Sequence, residues 1–599
     1  MVDAPAPALR QVVLRTCVDV VFAAAAAALL VKQIGYGFEV GDQLQYLLLP
    51  YRQLIPDFLP GDWFTWQTSH YHATFAWVVQ AIHALAGEAA FPRGMFVAHA
   101  LNLAWFGYAL VRLARAVGLG VFEAAVALLG FACVRQIGLG GAVLNHAALV
   151  PADLALAPCL LACAAFAERR VLAVGVWLGV AGLIHANYAV LGPLLLFPLE
   201  VLQLRRRTDD AAPPLFVQLL RLAMAVGLFA MIASPTLFVT AQSFLARDSA
   251  PGAVALTLFV RSPHHYDLGV LRLDEFYFAL VLGLAALPHA LGQVGPSAGR
   301  REHLLLTAAM LAIITLGVIG TALHVLALAR VFTFRLSLPL FTLWWLAAGR
   351  ALRELARTRR WVMLAWLSGL FVVLTSFAQT DPLEGSPWTL SPKPAAYGCG
   401  LLLLASAAGL WRGSPQRARR AAQIAVTTLA TGLAVVLAWS VVHSAYWLGP
   451  RFVAPRGLHF LDGQIVVEPR TRPLYAAIRE RTAPDARFLV PPSHSQFRLQ
   501  ARRAIFVDWK CTPMKGDEAL EWQRRMLLAM GVTEFPARGY GLPRAADIAY
   551  NARSLIELAE LARREGLTHV LARRERRPVP PSLRRSFESG GYVVYELVP

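Results

Sequence analysis

Apolar positions in the first three quarters of this chain fall mostly in long runs of the kind that cross a bilayer. Runs long enough to cross a bilayer lie near 12–32, 73–90, 94–113, 119–134, 147–167, 171–203, 215–240, 274–294, 303–327, 331–349, 361–378, 397–411 and 421–447. The run at 171–203 reads as two short helices, and the whole predicts about 13 spans. After Gly449 the pattern changes. Short strand-like stretches ("ARFLVPP", "RAIFVDW", "THVLARR", "YVVYELV") alternate with helical ones such as "GDEALEWQRRMLLAM" and "SLIELAELARREG". The expected architecture is therefore an all-α polytopic membrane domain over 1–447 and a small α/β domain over 448–599.

Polar residues gather between the runs. Arg10 and Arg15, Arg169–Arg170, Arg205–Arg207, Arg300–Arg301, Arg350–Arg360 and Arg412–Arg420 read as cytoplasmic, which puts the N-terminus inside. Loops 34–72, 243–273, 328–330 and 379–396, and everything after 448, then face the other side. Four runs between 73 and 167 give the wrong parity for this scheme, so one of them is expected to be re-entrant or fused with its neighbour.

Composition sharpens the picture. The chain is 57% hydrophobic with a mean hydropathy of +0.52, too apolar for a soluble protein of 599 residues. Its net charge of +19 is mostly arginine clustered between apolar runs. That is orientation information, and a nucleic-acid partner is excluded because few basic residues sit beside the aromatics of a single-strand groove. Cys17, Cys133, Cys159, Cys163, Cys399 and Cys511 show no zinc spacing with histidine and predict neither a disulfide framework nor a structural metal. The first run is read as an uncleaved span, because no mature-domain start follows it.

Candidate chemistry concentrates just outside that first run, in "YGFEVGDQLQYLLLPYRQLIPDFLPGDWFTW" (36–66). Glu39, Asp42, Asp57 and Asp62 lie there with Tyr46 and Arg52. Leu44, Leu47, Leu48 and Tyr51 share one helical face, which predicts a short helix in the membrane interface. Asp42 would stand at its N-terminus, as a cap or as a working carboxylate. Asp57 and Asp62 flank a turn-forming "PGDW" and read as turn residues. His70 and His72 follow at the mouth of the next span. On the same face the loop "RSPHHYD" packs Arg261, His264, His265, Tyr266 and Asp267 together, donors suited to a phosphate or a sugar ring. The adjacent histidines lack the spacing of a helical metal pair, so a divalent metal is possible but not favoured. Arg330 and Arg335 open a later span on this face, as ion-pair members or phosphate clamps.

The order of first span, acidic loop with "EVGDQLQYL", "PGDW" and aromatic-histidine entry to the second span resembles the GT-C superfamily of membrane glycosyltransferases. "LVPADLALAP" and "LGVAGLIHANYAVLGPLLLFPL" are similar to that superfamily's Asp-containing fifth span and its paired short helices, and "EGLTHVLARRE…GGYVVYELV" resembles the appended extracytoplasmic domain. The resemblance implies a bacterial inner-membrane enzyme that transfers sugar from a polyprenyl-phosphate-linked donor to an extracytoplasmic acceptor. It needs no cofactor beyond that lipid-linked substrate. By position Asp42 would be the general base on the acceptor hydroxyl, with Glu39 second; the superfamily's adjacent Asp-Glu pair is here Asp42-Gln43, leaving one carboxylate. Arg52, His70, His72, His264, His265, Tyr266, Arg330 and Arg335 would contact substrate. The rival readings are a transporter or flippase, for which charges in mid-span and repeated halves are expected, and a non-catalytic membrane protein.

Overall fold

The protein was analysed as a computed structural model that describes residues 9–34, 36–70, 72–133, 138–144, 146–204, 213–245, 251–267, 273–290, 299–323, 325, 331–357, 471–513, 515–574 and 578–598. The expected runs at 361–378, 397–411 and 421–447, and the expected domain boundary at 448, lie outside them.

Each expected run up to residue 349 is a helix. Five are long and apolar enough to cross a membrane: Arg10–Val31, Phe91–Ala116, Ala186–Leu204, Leu215–Gln242 and Arg300–Ala322. Their outward faces carry bare apolar side chains, among them Val20, Val21, Leu101, Phe216, Met231 and Phe238. Water would not tolerate so much apolar surface, whereas lipid solvates it; the chain is a multi-pass membrane protein. Several other apolar helices are shorter, such as Ala73–Ala86 and Val121–Ala132. At 1.5 Å per residue, Ala73–Ala86 reaches only about 21 Å, short of the hydrocarbon thickness.

The run at 171–203 breaks at His185, whose extended backbone (φ −145°, ψ 123°) separates Val171–Ile184 from Ala186–Leu204. Val171–Ile184 lies almost against Leu215–Leu245. A Cβ on Gly175 would stand 2.2 Å from the Ala225 carbonyl oxygen, so only glycine permits this approach.

Among the described residues, arginine-rich turns come together at one end of the helices: Arg169 lies 3.9 Å from Glu302, Gly299 packs on Val117, and Arg350 lies 3.6 Å from the buried Glu123. Residues 36–70, 72, 138–144, 146–150 and 261–267, His185 and Arg335 meet at the other.

There the first loop folds onto the C-terminal residues. Its expected single interfacial helix is two, Gln43–Tyr46 and Leu48–Leu54, divided at Leu47. Leu44, Leu47, Leu48 and Tyr51 do share a face. That face is buried in protein rather than laid on lipid, since Phe506, Val507, Cys511, Trp522 and Met526 belong to the same core.

The C-terminal residues form a five-stranded sheet in the order β2-β1-β3-β5-β4, with β1 Arg487–Leu489, β2 Ala504–Ile505, β3 His569–Arg573, β4 Leu583–Ser589 and β5 Tyr592–Leu597. β1 pairs in parallel with β2 and β3, while β5 runs antiparallel to β3 and β4. Helices Arg472–Arg481, Gly516–Met530, Leu542–Ala552 and Leu555–Arg564 pack on it. The Ser554/Glu557 capping box starts the last of these. β4 is absent from the strands expected on sequence. Its "LRRSFES" carries arginines on an edge, a charge pattern that blunts edge pairing and hides the strand's period.

Candidate active site

Asp42 sits at the N-terminal position of Gln43–Tyr46, but its carboxylate accepts no capping hydrogen bond. Its oxygens face two other partners. Oδ1 accepts from Lys510 Nζ at 2.5 Å, and Oδ2 lies 3.9 Å from His146 Nε2. The side chain keeps 34% of its surface open. Burial alone would raise its pKa; Lys510 first, then His146 and His265, outweigh that and hold the carboxyl below the usual carboxylate range.

His146 is held from behind. Its backbone N–H donates to Asp153 Oδ2 at 2.7 Å, and its Nδ1 lies 2.8 Å from Asp153 Oδ1. Asp153 occupies the first turn of Pro151–Ala167, where the helix dipole favours a negative charge. Two contacts to one carboxylate fix the ring so that Nε2 is presented to Asp42. Burial pulls the imidazole pKa down, but Asp153, with Asp42 behind it, raises it above 6.5.

Three more histidines, His72, His185 and His265, stand around Asp42 and His146. His72, His146, His185 and His265 each feel the charge of both Asp42 and Arg335. The His72 ring stands 5.2 Å from His185 and 4.6 Å from Tyr46. His265 bonds the Gly140 carbonyl through Nδ1 and lies 4.7 Å from the ring of Phe332. Phe332 itself has a left-handed backbone, φ +50°, and its ring lies 5.0 Å from the Arg335 guanidinium. A left-handed backbone at a bulky residue costs about 1–3 kcal/mol, and here it carries the ring on which the Arg335 guanidinium packs. Burial pushes His265 down to about 4, His72 to about 3 and His264, with His265 beside it, to about 2, so these rings are neutral at neutral pH. The Arg335 Nε and His264 Nδ1 atoms are buried without a hydrogen-bond partner among the described residues.

The structure thus brings Asp42, His72, His264, His265 and Arg335 together from four separate segments. Other candidates stand elsewhere. Glu39, buried and with φ +57°, accepts from the Tyr51 hydroxyl at 2.6 Å and from Arg502 at 3.2 Å. Arg52 donates to the Thr65 carbonyl at 3.0 Å and lies over Trp66, while His70 Nε2 reaches the same carbonyl at 3.2 Å. Both brace the first loop. Tyr266 packs against Phe332. Arg330 is outside the described residues.

Asp62 does more than shape the expected turn. It does cap Trp63–Gln67, accepting from the Thr65 N–H at 2.8 Å, but it is fully buried and no mere turn residue. Its other oxygen accepts from Arg498 at 2.8 Å, and Arg498 also bonds Asp508.

The segment 508–513, "DWKCTP", completes the site; on sequence its polar aromatic character suits carbohydrate contact or a solvated surface equally, and neither reading marks Lys510 as the partner of Asp42. Besides Lys510, its Thr512 Oγ1 accepts from Arg261 Nε at 2.7 Å, and the Trp509 ring lies 4.1 Å beneath the Arg261 guanidinium. His146 and Lys510 lacked any spacing that would mark them. His185 and Asp153 lay inside stretches already noted, and each sits where an apolar run breaks or begins, a signal that could have found them. Among the described residues no group of three or more His, Cys, Asp and Glu side chains is placed to hold a metal ion.

A sequence-family model described as a domain of unknown function (DUF6798) matches residues 469–529, the stretch that carries Arg498, Asp508 and Lys510. No curated protein matches the chain in sequence. Among solved structures, the chain is similar to apo ArnT from Cupriavidus metallidurans, with 14% identity and a TM-score of 0.46 over 98% of each chain. It is also similar to the oligosaccharyltransferase AglB from Archaeoglobus fulgidus in complex with an inhibitory peptide and a dolichol-phosphate. There the identity is 10% and the TM-score 0.43, over 94% of this chain and 70% of that one.

Proposed function

We propose that the chain is a GT-C-type membrane glycosyltransferase that moves a sugar from a polyprenyl-phosphate-linked donor to a hydroxyl of a lipid, glycan or protein acceptor, with Asp42 as general base. The observation that carries this reading is the placing of one accessible carboxylate among Lys510, Arg335, His146 and His265, at the ends of lipid-facing helices. In the reaction the acceptor oxygen attacks the anomeric carbon and gives its proton to Asp42. The bond from that carbon to the phosphate oxygen breaks, and the departing oxygen keeps the electron pair. Positive charge on the sugar and negative charge on the leaving oxygen then develop a few ångströms apart. The carboxylate serves the first, and Lys510 and Arg335 neutralise the second. Donor and acceptor held at one rim could supply several kcal/mol of the barrier. The same reading places the Asp42 end and the C-terminal sheet outside the cytoplasm of a bacterial inner membrane. It is supported further by the resemblance of residues 36–72 to the superfamily's first loop.

The test is direct. Purified full-length protein is incubated with a mass-tagged polyprenyl-phosphate sugar and a membrane extract as acceptor source. Consumption of the donor by wild type, abolished in a folded Asp42→Asn protein, is the expected result. A donor left intact under all acceptors, or carried across a vesicle membrane unchanged, would remove the transferase reading.

A further inference from the structure

We propose that Lys510 is an exchangeable cation: it neutralises Asp42 in the empty site and leaves it for the donor's phosphate, so that binding of a prenyl phosphate frees the base. This inference rests on the function proposed above and names how that site is regulated by its own substrate.

The geometry sets up a competition. Lys510 Nζ stands 2.5 Å from Asp42 Oδ1, yet the contact is open to solvent, with 21% of the lysine side chain and 34% of the aspartate exposed. It is not built to be permanent. The permanent ion pairs between the same two parts of the molecule look different: Arg498 with Asp62 and Asp508 has all three side chains at most 1% exposed. Lysine also differs from arginine here in kind. An ammonium on four rotatable bonds can turn from one anion to another, where a guanidinium locked in a bidentate fork cannot.

The surroundings supply a second anion's place. Arg261 lies beside Lys510, its Nη2 donating to the Lys510 carbonyl at 3.1 Å, and both cations press on His264. Arg335 acts on the other side through His72, His146 and His265. Among the described residues Asp42 is the carboxylate paired with Lys510, Arg335 Nε is a further buried donor, and His264 Nδ1 is a further buried polar atom without a partner. The donor's phosphodiester entering this rim meets three cations and the neutral rings of His72, His264 and His265. Lys510 exchanges one singly charged partner for another, and the new one is shared with Arg261 beside it. A carboxylate relieved of its ammonium regains proton affinity. Asp42 is thereby a weak base when the site is empty and a stronger one when the donor is seated, which limits wasteful attack by water before the donor arrives.

Binding can be read without any transfer. The full-length protein in detergent is titrated with farnesyl phosphate, with farnesol and with inorganic phosphate, and Kd is measured for wild type, Asp42→Asn, Lys510→Met and Lys510→Arg. Removing the competing carboxylate in Asp42→Asn should tighten farnesyl phosphate by about tenfold, which is ~1.4 kcal/mol. Lys510→Met should weaken it by at least as much, and Lys510→Arg should fall between wild type and Met. Farnesol should not bind. Melting temperatures within a few degrees of wild type keep the comparison on folded protein. An Asp42→Asn protein that binds no tighter, together with a Lys510→Met protein that binds as well as wild type, would make the pair a fixed strut and overturn the proposal. Inorganic phosphate binding as tightly as farnesyl phosphate would overturn the lipid assignment. The two readings fail separately. Charge-dependent farnesyl phosphate binding without sugar transfer removes the enzyme and keeps the exchange; transfer with binding indifferent to Lys510 and Asp42 does the reverse.

Discussion

Arg498 Nε donates to Asp62 Oδ2 across 2.8 Å, joining two fully buried side chains that are 436 residues apart in the chain. Asp62 belongs to the first loop and Arg498 to the C-terminal sheet domain. Asp62 Oδ2 also accepts from the Ile505 N–H, in β2, at 3.1 Å. Burial of this kind makes the pair a joint rather than a surface ornament. Removing one partner strands the other charge, which costs about 3–5 kcal/mol. Arg498→Met should therefore lower the melting temperature sharply and expose the C-terminal domain to limited proteolysis. A melting curve like that of wild type would show that the two parts hold together without it.

Asp42→Asn should lose about 10²–10⁴ in transfer rate while keeping its melting temperature, because Asp42 makes no capping bond to lose. Glu39→Gln and Asp57→Asn are the controls. Glu39 is tied to Tyr51 and Arg502, and Asp57 is exposed in a turn. Both should retain activity within about tenfold, with Glu39→Gln also less stable. Initial rates with a saturating donor decide between them; full activity in Asp42→Asn would return the role to Glu39 or to neither.

The His146–Asp153 pair gives stability a pH dependence of known sign. The folded imidazole titrates above its ordinary value of 6.5, so the folded state holds its proton more tightly than the unfolded state does. The stabilisation is complete below the unfolded value and disappears as pH rises through the folded one. The melting-temperature gap between wild type and His146→Gln should accordingly be widest in mild acid and close toward alkaline pH. A gap that widens upward would mean that His146 is held neutral.

Orientation can be read with a reporter active only in the cytoplasm, fused after Pro599. It should be silent if the Asp42 end of the helices faces outward. A strong signal would reverse the scheme drawn from the arginine clusters and place the whole site on the inside.

How much of this was legible in advance follows the range of the forces involved. The apolar runs declared the helices because lipid demands unbroken hydrophobicity, and the break at His185 left its mark in the "LIHANY" that interrupts one of them. Asp42 stood out by its place beside the first span, and the "PHHY" loop by its density of donors. Long-range pairing left no such trace. Lys510 comes to Asp42 over 468 residues, and nothing in "DWKCTP" distinguishes a side chain aimed at a distant carboxylate from one in solvent. Asp62 shows the same limit from the other side: its local role as a cap was readable as a turn, while its partner Arg498 was not. Arg52 and His70 had the right residue types in the right loop, and spend them on the carbonyl of Thr65 instead.

The shared core of the first loop and the last domain also imposes an order on biosynthesis. Leu47, Leu48 and Phe64 emerge early, but Phe506, Trp522 and Met526, which cover them, come more than four hundred residues later. At ordinary synthesis rates that interval is roughly half a minute. Throughout it the loop stands outside the first span with its apolar face uncovered and Asp62 without Arg498. A nascent chain therefore presents the described helices up to Arg357 to the membrane before residues 498–526 arrive to cover the loop and pair Asp62.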